Sequence, residues 1–297
     1  MFSRLQDRRL GAKVNRAPKK DICSMTKLVS SGIALLTALL PLSAFAAGTT
    51  FTDNAANGYA ANYAGVSKTG FGAFTVAAIN GAGNTAPFSG TFIGSAAASE
   101  ANTGTPTPAS IDSTGNSFGF YANGGATASV TIARSFTQGL QNVGDTFSLN
   151  FVPGYNDAGT SGVSLSTTAN PDLGDFQYRA GTGFLFNNVS TGQTFTSGAF
   201  QLTYTVTSAT TYSFTTGVAG TNSPFAFTAT GTFAGPINGF RVFATNSGSG
   251  ASDHNGYFNN LSQTVNSAAA PEPGDMGLLI AGIGVLGGIQ IVRRRRA

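Results

Sequence analysis

The chain lacks tryptophan and has one cysteine, one histidine and few charged side chains. Charged residues make up 9% of its 297 residues, whereas globular proteins average about 25%. Coiled coils and helical bundles need Leu, Glu and Lys in quantity, so this composition excludes them. The single histidine, His254, leaves little from which to build a metalloenzyme or a catalytic triad. The chain is instead rich in glycine and phenylalanine, with 40 Gly and 24 Phe.

The net charge of +4 is carried by the two ends of the chain. Residues 1–46 hold eight cations and two anions, and residues 271–297 hold four arginines and two anions. The segment between them, 47–270, holds four cations and eight anions, so the body itself is acidic. Basic termini are typical of targeting segments. The charge therefore predicts export, and it does not predict a nucleic-acid partner.

An apolar run near the N-terminus has the organisation of a secretory signal peptide. The run 28–46 follows Lys27 and ends in an A-x-A pattern formed by Ala44 and Ala46. Signal peptidase requires small side chains at these two positions. We expect cleavage just after this pattern, and residues 1–24 are then either a spurious upstream extension or a long charged region. The alternative, an N-terminal membrane anchor, is disfavoured by the short apolar core.

The C-terminal segment 271–297 combines three features in order. Pro271, Glu272 and Pro273 come first, an apolar stretch follows over 276–292, and four arginines close the run. A helix over 276–292 would be about 25 Å long, close to the roughly 30 Å of a bilayer's hydrocarbon core. The arginines would keep this end in the cytoplasm by the positive-inside rule. They are Arg293, Arg294, Arg295 and Arg296.

This order of features resembles the PEP-CTERM sorting signal of Gram-negative bacteria. The resemblance implies that the protein is exported and held transiently in the inner membrane by its tail. It also implies that an exosortase recognises Pro271, Glu272 and Pro273 and passes the protein to the cell surface or the extracellular matrix. The expected partners are therefore signal peptidase, an exosortase and exopolysaccharide. The alternative is an ordinary C-terminal tail anchor.

The body, 47–265, reads as about a dozen short strands separated by Gly, Asn, Ser and Pro. In Phe200–Ser208, large apolar residues alternate with Gln and Thr, and Thr211–Thr216 continues the pattern as the second strand of a hairpin. Long helical periodicity is absent. We predict an all-β fold, a single large antiparallel β-sandwich of jelly-roll-like type. A signal helix and a transmembrane helix would flank it, with residues 266–270 as a linker.

Four motifs of the body carry a second resemblance. They are Asn116–Asn123, Gly144–Ser148, Gly239–Phe243 and Tyr257–Leu261. In this order they resemble an uncharacterised secreted β-sandwich domain found with bacterial surface anchors. The Y-F-N-N-L motif is similar to the last strand of jelly-roll carbohydrate-binding modules, where an Asp or Asn often helps to bind a structural calcium. Here Asn replaces the usual Asp.

Acidic and amide side chains in loops are candidate calcium ligands. Asp172 and Asp175 form one candidate pair, and Asp253 and Asn255 form the other. Calcium takes six to eight oxygen ligands, so neither pair is complete by itself. The competing role for these residues is to form turns. We expect no other cofactor.

Three tyrosines next to loops are candidates for stacking against sugar rings, namely Tyr155, Tyr178 and Tyr257. Sugars offer apolar C–H faces to aromatic rings. The lack of tryptophan argues against a flat platform for crystalline polysaccharide. Packing in the core is the competing role for each tyrosine.

The sequence supplies no catalytic constellation. Asp253 and His254 could orient a base, but no cysteine nucleophile or G-x-S-x-G motif accompanies them. The body has one Glu, Glu100, which does not favour the carboxylate pair of a glycosidase. The main hypothesis is a non-enzymatic surface or biofilm-matrix protein. A carbohydrate-binding module or lectin-like adhesin is the second, and an unrecognised polysaccharide-active hydrolase the third.

Overall fold

The computed structural model describes residues 48–81, 88–97, 111–196, 198–219, 225–248 and 254–266. These residues form fifteen β-strands. In chain order the strands are β1 Thr49–Asp53, β2 Phe71–Ile79, β3 Ser89–Gly94, β4 Ser117–Ala122, β5 Ser129–Leu140, β6 Thr146–Val152, β7 Thr160–Thr167, β8 Leu173–Arg179, β9 Gly183–Phe186, β10 Val189–Ser190, β11 Phe200–Ser208, β12 Thr211–Val218, β13 Phe227–Thr232, β14 Ile237–Thr245 and β15 Gly256–Val265.

The strands form two antiparallel sheets that pack face to face, which confirms the predicted sandwich. The eight-stranded sheet has the order β13-β12-β11-β6-β15-β4-β3, and β1 also pairs with β15. The seven-stranded sheet has the order β10-β9-β8-β7-β14-β5-β2. The predicted hairpin between β11 and β12 is confirmed, with Tyr204 opposite Phe214.

Phenylalanine rings from both sheets fill the space between them. Phe147 of the eight-stranded sheet stacks on Phe240 of the seven-stranded sheet, with ring centres 4.8 Å apart, and lies 5.0 Å from Phe136. Further along the core, Phe214 of β12 lies 5.4 Å from Phe176 of β8. Each such pair adds about 0.5–1.5 kcal/mol beyond the burial of its area. The many phenylalanines of the sequence therefore build this core.

The two ends of the described body lie side by side. β1 begins at Thr49, opposite Val265, where β15 ends. The carboxylate of Asp145 accepts a hydrogen bond from the backbone N–H of Asn266 at 2.7 Å, which fixes the first linker residue to the sandwich. We call this the terminal end. β15 starts at Gly256, so the loops before it lie roughly 30 Å away at the opposite, loop end.

Several predictions fall outside the described residues and stay predictions. They are the signal peptide with Ala44 and Ala46, the linker beyond Asn266, the sorting motif Pro271, Glu272 and Pro273, the segment 276–292, and Arg293 to Arg296. Within the part of the chain that the structure describes, no helix has both the length and the apolar character needed to cross a membrane.

Candidate functional site

The loop end of the sandwich brings together an exposed tyrosine, a carboxylate and the histidine. Tyr155 lies between β6 and β7, and 40% of it is exposed. His254 precedes β15 and is nearly buried. Its Nε2 lies 3.0 Å from Oδ2 of Asp157, and its ring centre lies 5.6 Å from that of Tyr155. The sequence suggested Asp253 as the partner of His254, but Asp253 lies outside the described residues and the structure pairs His254 with Asp157.

Backbone contacts hold the two loops of this pair together. The N–H of Asp157 donates to the carbonyl of Ser247 at 3.1 Å, which joins the loop after β6 to the loop after β14. Gly248 follows with φ +131°, a conformation that other residues rarely adopt. A Cβ at Gly248 would lie 2.7 Å from Nε2 of His254. Glycine at this position therefore leaves room for the Asp157–His254 contact.

An aromatic stack connects Tyr155 to the core. Tyr155 lies edge-on to Phe195 at 5.3 Å, Phe195 lies 5.0 Å from Tyr178, and Tyr178 lies 5.3 Å from the core residue Phe184. Tyr178 is 6% exposed, so it supports the stack and offers no face to a ligand. Burial, and secondly the nearby Tyr155, raise the pKa of Tyr178 above its ordinary value. Tyr155 alone of the three candidate tyrosines keeps an exposed face.

The structure contradicts sugar stacking by Tyr257. This residue is 2% exposed and packs against Phe92, with ring centres 5.6 Å apart. It belongs to a small second core with Ala96, Ile111 and Val152. Ala96 and Ile111, which lie on either side of residues 98–110 in the chain, pack in the same cluster as this ring. The alternation of apolar and polar residues along β15 does not report such a contact.

The first candidate calcium pair lies on the outer face of the seven-stranded sheet. Asp172 forms an ion pair with Nη2 of Arg241, so the positively charged guanidinium already lies where Asp172 would bind a calcium ion. Burial, and secondly the charge of Asp172, raise the pKa of Asp175 to about 6, while Arg241 and Arg179 act in the opposite direction. This arrangement argues against calcium at Asp172.

The second candidate calcium pair is only partly described. Oδ1 of Asn255 accepts a long hydrogen bond of 3.5 Å from Nδ2 of Asn123, and Asp253 is outside the described residues. Among the residues with a described position, no group of three or more His, Cys, Asp or Glu side chains could hold a metal ion.

No protein-family profile and no curated protein matches the chain. Several solved structures are similar in fold. A protein of unknown function from Shewanella oneidensis MR-1 is 11% identical with a TM-score of 0.39, over 86% of this chain and 99% of that one. Arcelin-5, a lectin-like defence protein from Phaseolus vulgaris, is 8% identical with a TM-score of 0.36, over 75% and 100%. A carbohydrate esterase from the Shiga toxin-encoding bacteriophage phi24B is 12% identical with a TM-score of 0.36, over 65% and 90%. Because these scores and identities are low, the likenesses carry no argument about function.

Proposed function

We propose that the body is a carbohydrate-binding module, part of an exported surface or matrix protein, and that it binds glycans at the loop end. The observation that carries this proposal is the exposed ring of Tyr155 beside the half-exposed carboxylate of Asp157. Ligand sites combine apolar or aromatic walls with a few placed polar groups. A sugar ring needs both, because its C–H face packs on an aromatic ring and its hydroxyls donate to a carboxylate.

The geometry of this site supports binding because its groups are held before a ligand arrives. Phe195 packs edge-on against Tyr155, and His254 contacts the carboxylate of Asp157 at 3.0 Å. Groups that are already ordered lose less conformational entropy on binding. We therefore propose binding rather than catalysis at the loop end.

Sorting through the C-terminal signal would account for where the protein acts. The chain enters β1 and leaves β15 at the terminal end of the sandwich. The proposed route passes through the inner membrane and ends at the cell surface or in the extracellular matrix, where polysaccharide is found. Signal peptidase and an exosortase are the proposed processing partners.

A glycan array tests the binding proposal with protein purified after export. We expect at least one glycan class to bind, and Tyr155→Ala to weaken that binding by about fivefold, since an aromatic contact is worth roughly 1 kcal/mol. Tyr155→Phe keeps the ring and serves as the matched control, with affinity near that of the wild type. Absence of binding to every glycan, or equal binding by Tyr155→Ala, would overturn the proposal.

Fractionation tests the sorting proposal separately. In a strain with an exosortase, the wild-type protein should be shortened at its C-terminus and reach the surface fraction. Glu272→Ala should stay full-length in the inner membrane. The same distribution for both proteins on immunoblots would refute recognition at Pro271, Glu272 and Pro273.

A further inference from the structure

A polar cluster lies on the outer face of the seven-stranded sheet. Arg241 on β14 is opposite Ser164 on β7, and Asp175 lies on the next strand, β8. The neighbouring residues Val163 and Phe176 are paired with each other and belong to the core. Because side chains alternate along a strand, Arg241, Ser164 and Asp175 point away from that core.

The cluster concentrates charge in a body that has little of it. Of the ten Lys, Arg, Asp and Glu side chains in the described residues, four lie here: Asp172, Asp175, Arg179 and Arg241. The guanidinium of Arg179 donates to Oδ1 of Asn188 at 3.0 Å. The two arginines and two aspartates balance, so the face favours neither a polyanion nor a cation.

Three buried polar atoms in the cluster have no hydrogen-bond partner among the residues that the structure describes. They are Oγ of Ser164, Oδ1 of Asp175 and Nε of Arg241. Ser164 is 0% exposed. Leaving a buried polar group without a partner destabilises the fold, and native proteins satisfy more than about 90% of such groups. Each of these three atoms can form a hydrogen bond with water or with a ligand from outside the chain.

One of these atoms, Nε of Arg241, belongs to a side chain that also forms a weak ion pair. Arg241 pairs with Asp172, and their side chains are 25% and 48% exposed. The guanidinium carbon of Arg241 lies 5.0 Å from the ring centre of Phe243, and a Cβ on Gly162 would meet that ring at 2.8 Å. An exposed pair of this kind contributes little to stability. A ligand can therefore displace the Arg241–Asp172 contact at little cost.

We propose that this face is a second binding site, and that it takes two adjacent hydroxyls of a neutral sugar between Asp175 and Arg241. One hydroxyl donates to Oδ1 of Asp175 and its neighbour accepts from Nε of Arg241. Oγ of Ser164 donates to or accepts from either, and Phe243 contacts the apolar edge of the ring. This site rests on the proposed function and deepens it, because it names the ligand class and adds a surface separate from Tyr155.

Arginine side-chain NMR of the exported protein, labelled with 15N-arginine, tests the site directly. The body has three arginines, so Arg241 and Arg179 report on this face while the buried Arg134 serves as an internal control. The probes are the methyl α-pyranosides of glucose, galactose and mannose, which together present equatorial pairs and axial–equatorial pairs of adjacent hydroxyls. With at least one probe, the Nε–H signal of Arg241 should shift saturably with a Kd in the millimolar range, and that of Arg134 should not move.

Three variants assign the shift to the site. Ser164→Ala and Asp175→Asn should abolish or strongly weaken it, while Tyr155→Ala should leave it unchanged. Asp172→Asn weakens the contact with Arg241 that the sugar must displace, and it should tighten binding by about fivefold or less. No shift with any probe at about 100 mM, well above a millimolar Kd, would overturn the proposal and leave bound water as the partner of the three atoms. A shift that is lost in Tyr155→Ala but kept in Ser164→Ala would also overturn it, because the sugar would then be bound only at the loop end. Failure of the glycan array for Tyr155 with a persistent Arg241 shift would reject the loop-end site alone.

Discussion

Two arginine–aspartate pairs lie on opposite sides of the seven-stranded sheet, and they are built in opposite ways. Arg134 on β5 faces the core and contacts Asp53 at 2.6 Å, with both side chains 0% exposed. Arg241 on the adjacent strand β14 faces outward and contacts the half-exposed Asp172. Arginine and aspartate therefore form a buried pair and an exposed pair, and the two arginines lie on adjacent strands.

The interior pair has partners around it. Nε of Arg134 donates to the carbonyl of Gly72 at 2.9 Å, and Nη2 contacts the hydroxyl of Tyr59 at 3.2 Å. The guanidinium carbon lies 4.1 Å from the ring centre of Phe74. Tyr59 in turn donates to Asp53. Burial, followed by that hydrogen bond, raises the pKa of Tyr59 well above its ordinary value.

The difference between the pairs separates a structural role from a binding role. Asp53 is the last residue of β1, so its contact with Arg134 ties the first strand of the eight-stranded sheet to the opposite sheet. Removing one partner of such a buried pair leaves an uncompensated charge. At the outer face, by contrast, Nε of Arg241 and the nearby Oγ of Ser164 are unpartnered among the described residues. Satisfied polar groups stabilise the fold, and the unsatisfied ones on the outer face are the contacts proposed for a ligand.

Breaking the interior pair should have the largest effect. Arg134→Met leaves the carboxylate of Asp53 buried without its counter-charge, and we expect the free energy of unfolding to fall by about 3–5 kcal/mol. Denaturant unfolding followed by circular dichroism measures this change. The double variant Asp53→Asn/Arg134→Met removes both charges and should recover part of the loss. A loss in Arg134→Met below about 1 kcal/mol would mean that the interior pair is as dispensable as a surface pair.

The strands that surround these pairs were largely predictable from the sequence. Alternating apolar and polar residues placed β11 correctly, because period-two patterning reports which face of a strand is buried. β1 carries no such pattern, since its sequence TTFTD has a single large apolar residue. Its stability comes instead from the ladder with β15 and from the contact of Asp53 with Arg134. Such long-range partners leave no local signal.

The candidate sites were predictable only in part. Position beside a loop correctly suggested that Tyr155 is exposed, and the same criterion failed for Tyr257 because an irregular segment covers it. Asp157 and His254 are 97 residues apart in the chain, so no motif could join them. In the sequence, Arg241 looks like any other polar residue of a strand, so nothing marks it as a site residue. Periodicity assigns a residue to a face, but it does not say what else lies on that face.

The outer face should respond to pH through Asp175, with an effect of intermediate size. Its pKa is raised from an ordinary 3.8 to about 6. Well below pH 4 the carboxyl is protonated in both folded and unfolded chains, so it costs the fold nothing. As the pH rises through this interval, the unfolded chain loses its proton first. The folded state therefore becomes less stable, by about 2–3 kcal/mol once the pH is above 6.

Urea unfolding of the wild type and Asp175→Asn at several pH values isolates this contribution. The amide does not titrate, so the variant should gain stability relative to the wild type by that amount between acid and neutral pH. Asp172→Asn removes the second cause of the raised pKa of Asp175, the nearby negative charge, and should therefore reproduce only part of this gain. Parallel pH profiles for the wild type and Asp175→Asn would show that the carboxylate of Asp175 is solvated in the folded protein.

Breaking the outer pair should have the smallest effect on stability, which makes it the sharpest contrast with Arg134. Arg241→Met loses an exposed ion pair worth about 0–1 kcal/mol and also removes an unsatisfied Nε, so the two changes oppose each other. We expect the free energy of unfolding to stay within about 1 kcal/mol of the wild type, and Asp172→Asn to agree with it. Added salt should reduce any remaining difference, because exposed charges are screened. A loss in Arg241→Met comparable with that in Arg134→Met would make the outer pair a structural element as well. The unpartnered atoms of Ser164, Asp175 and Arg241 would then be a cost of the fold rather than a place for a sugar.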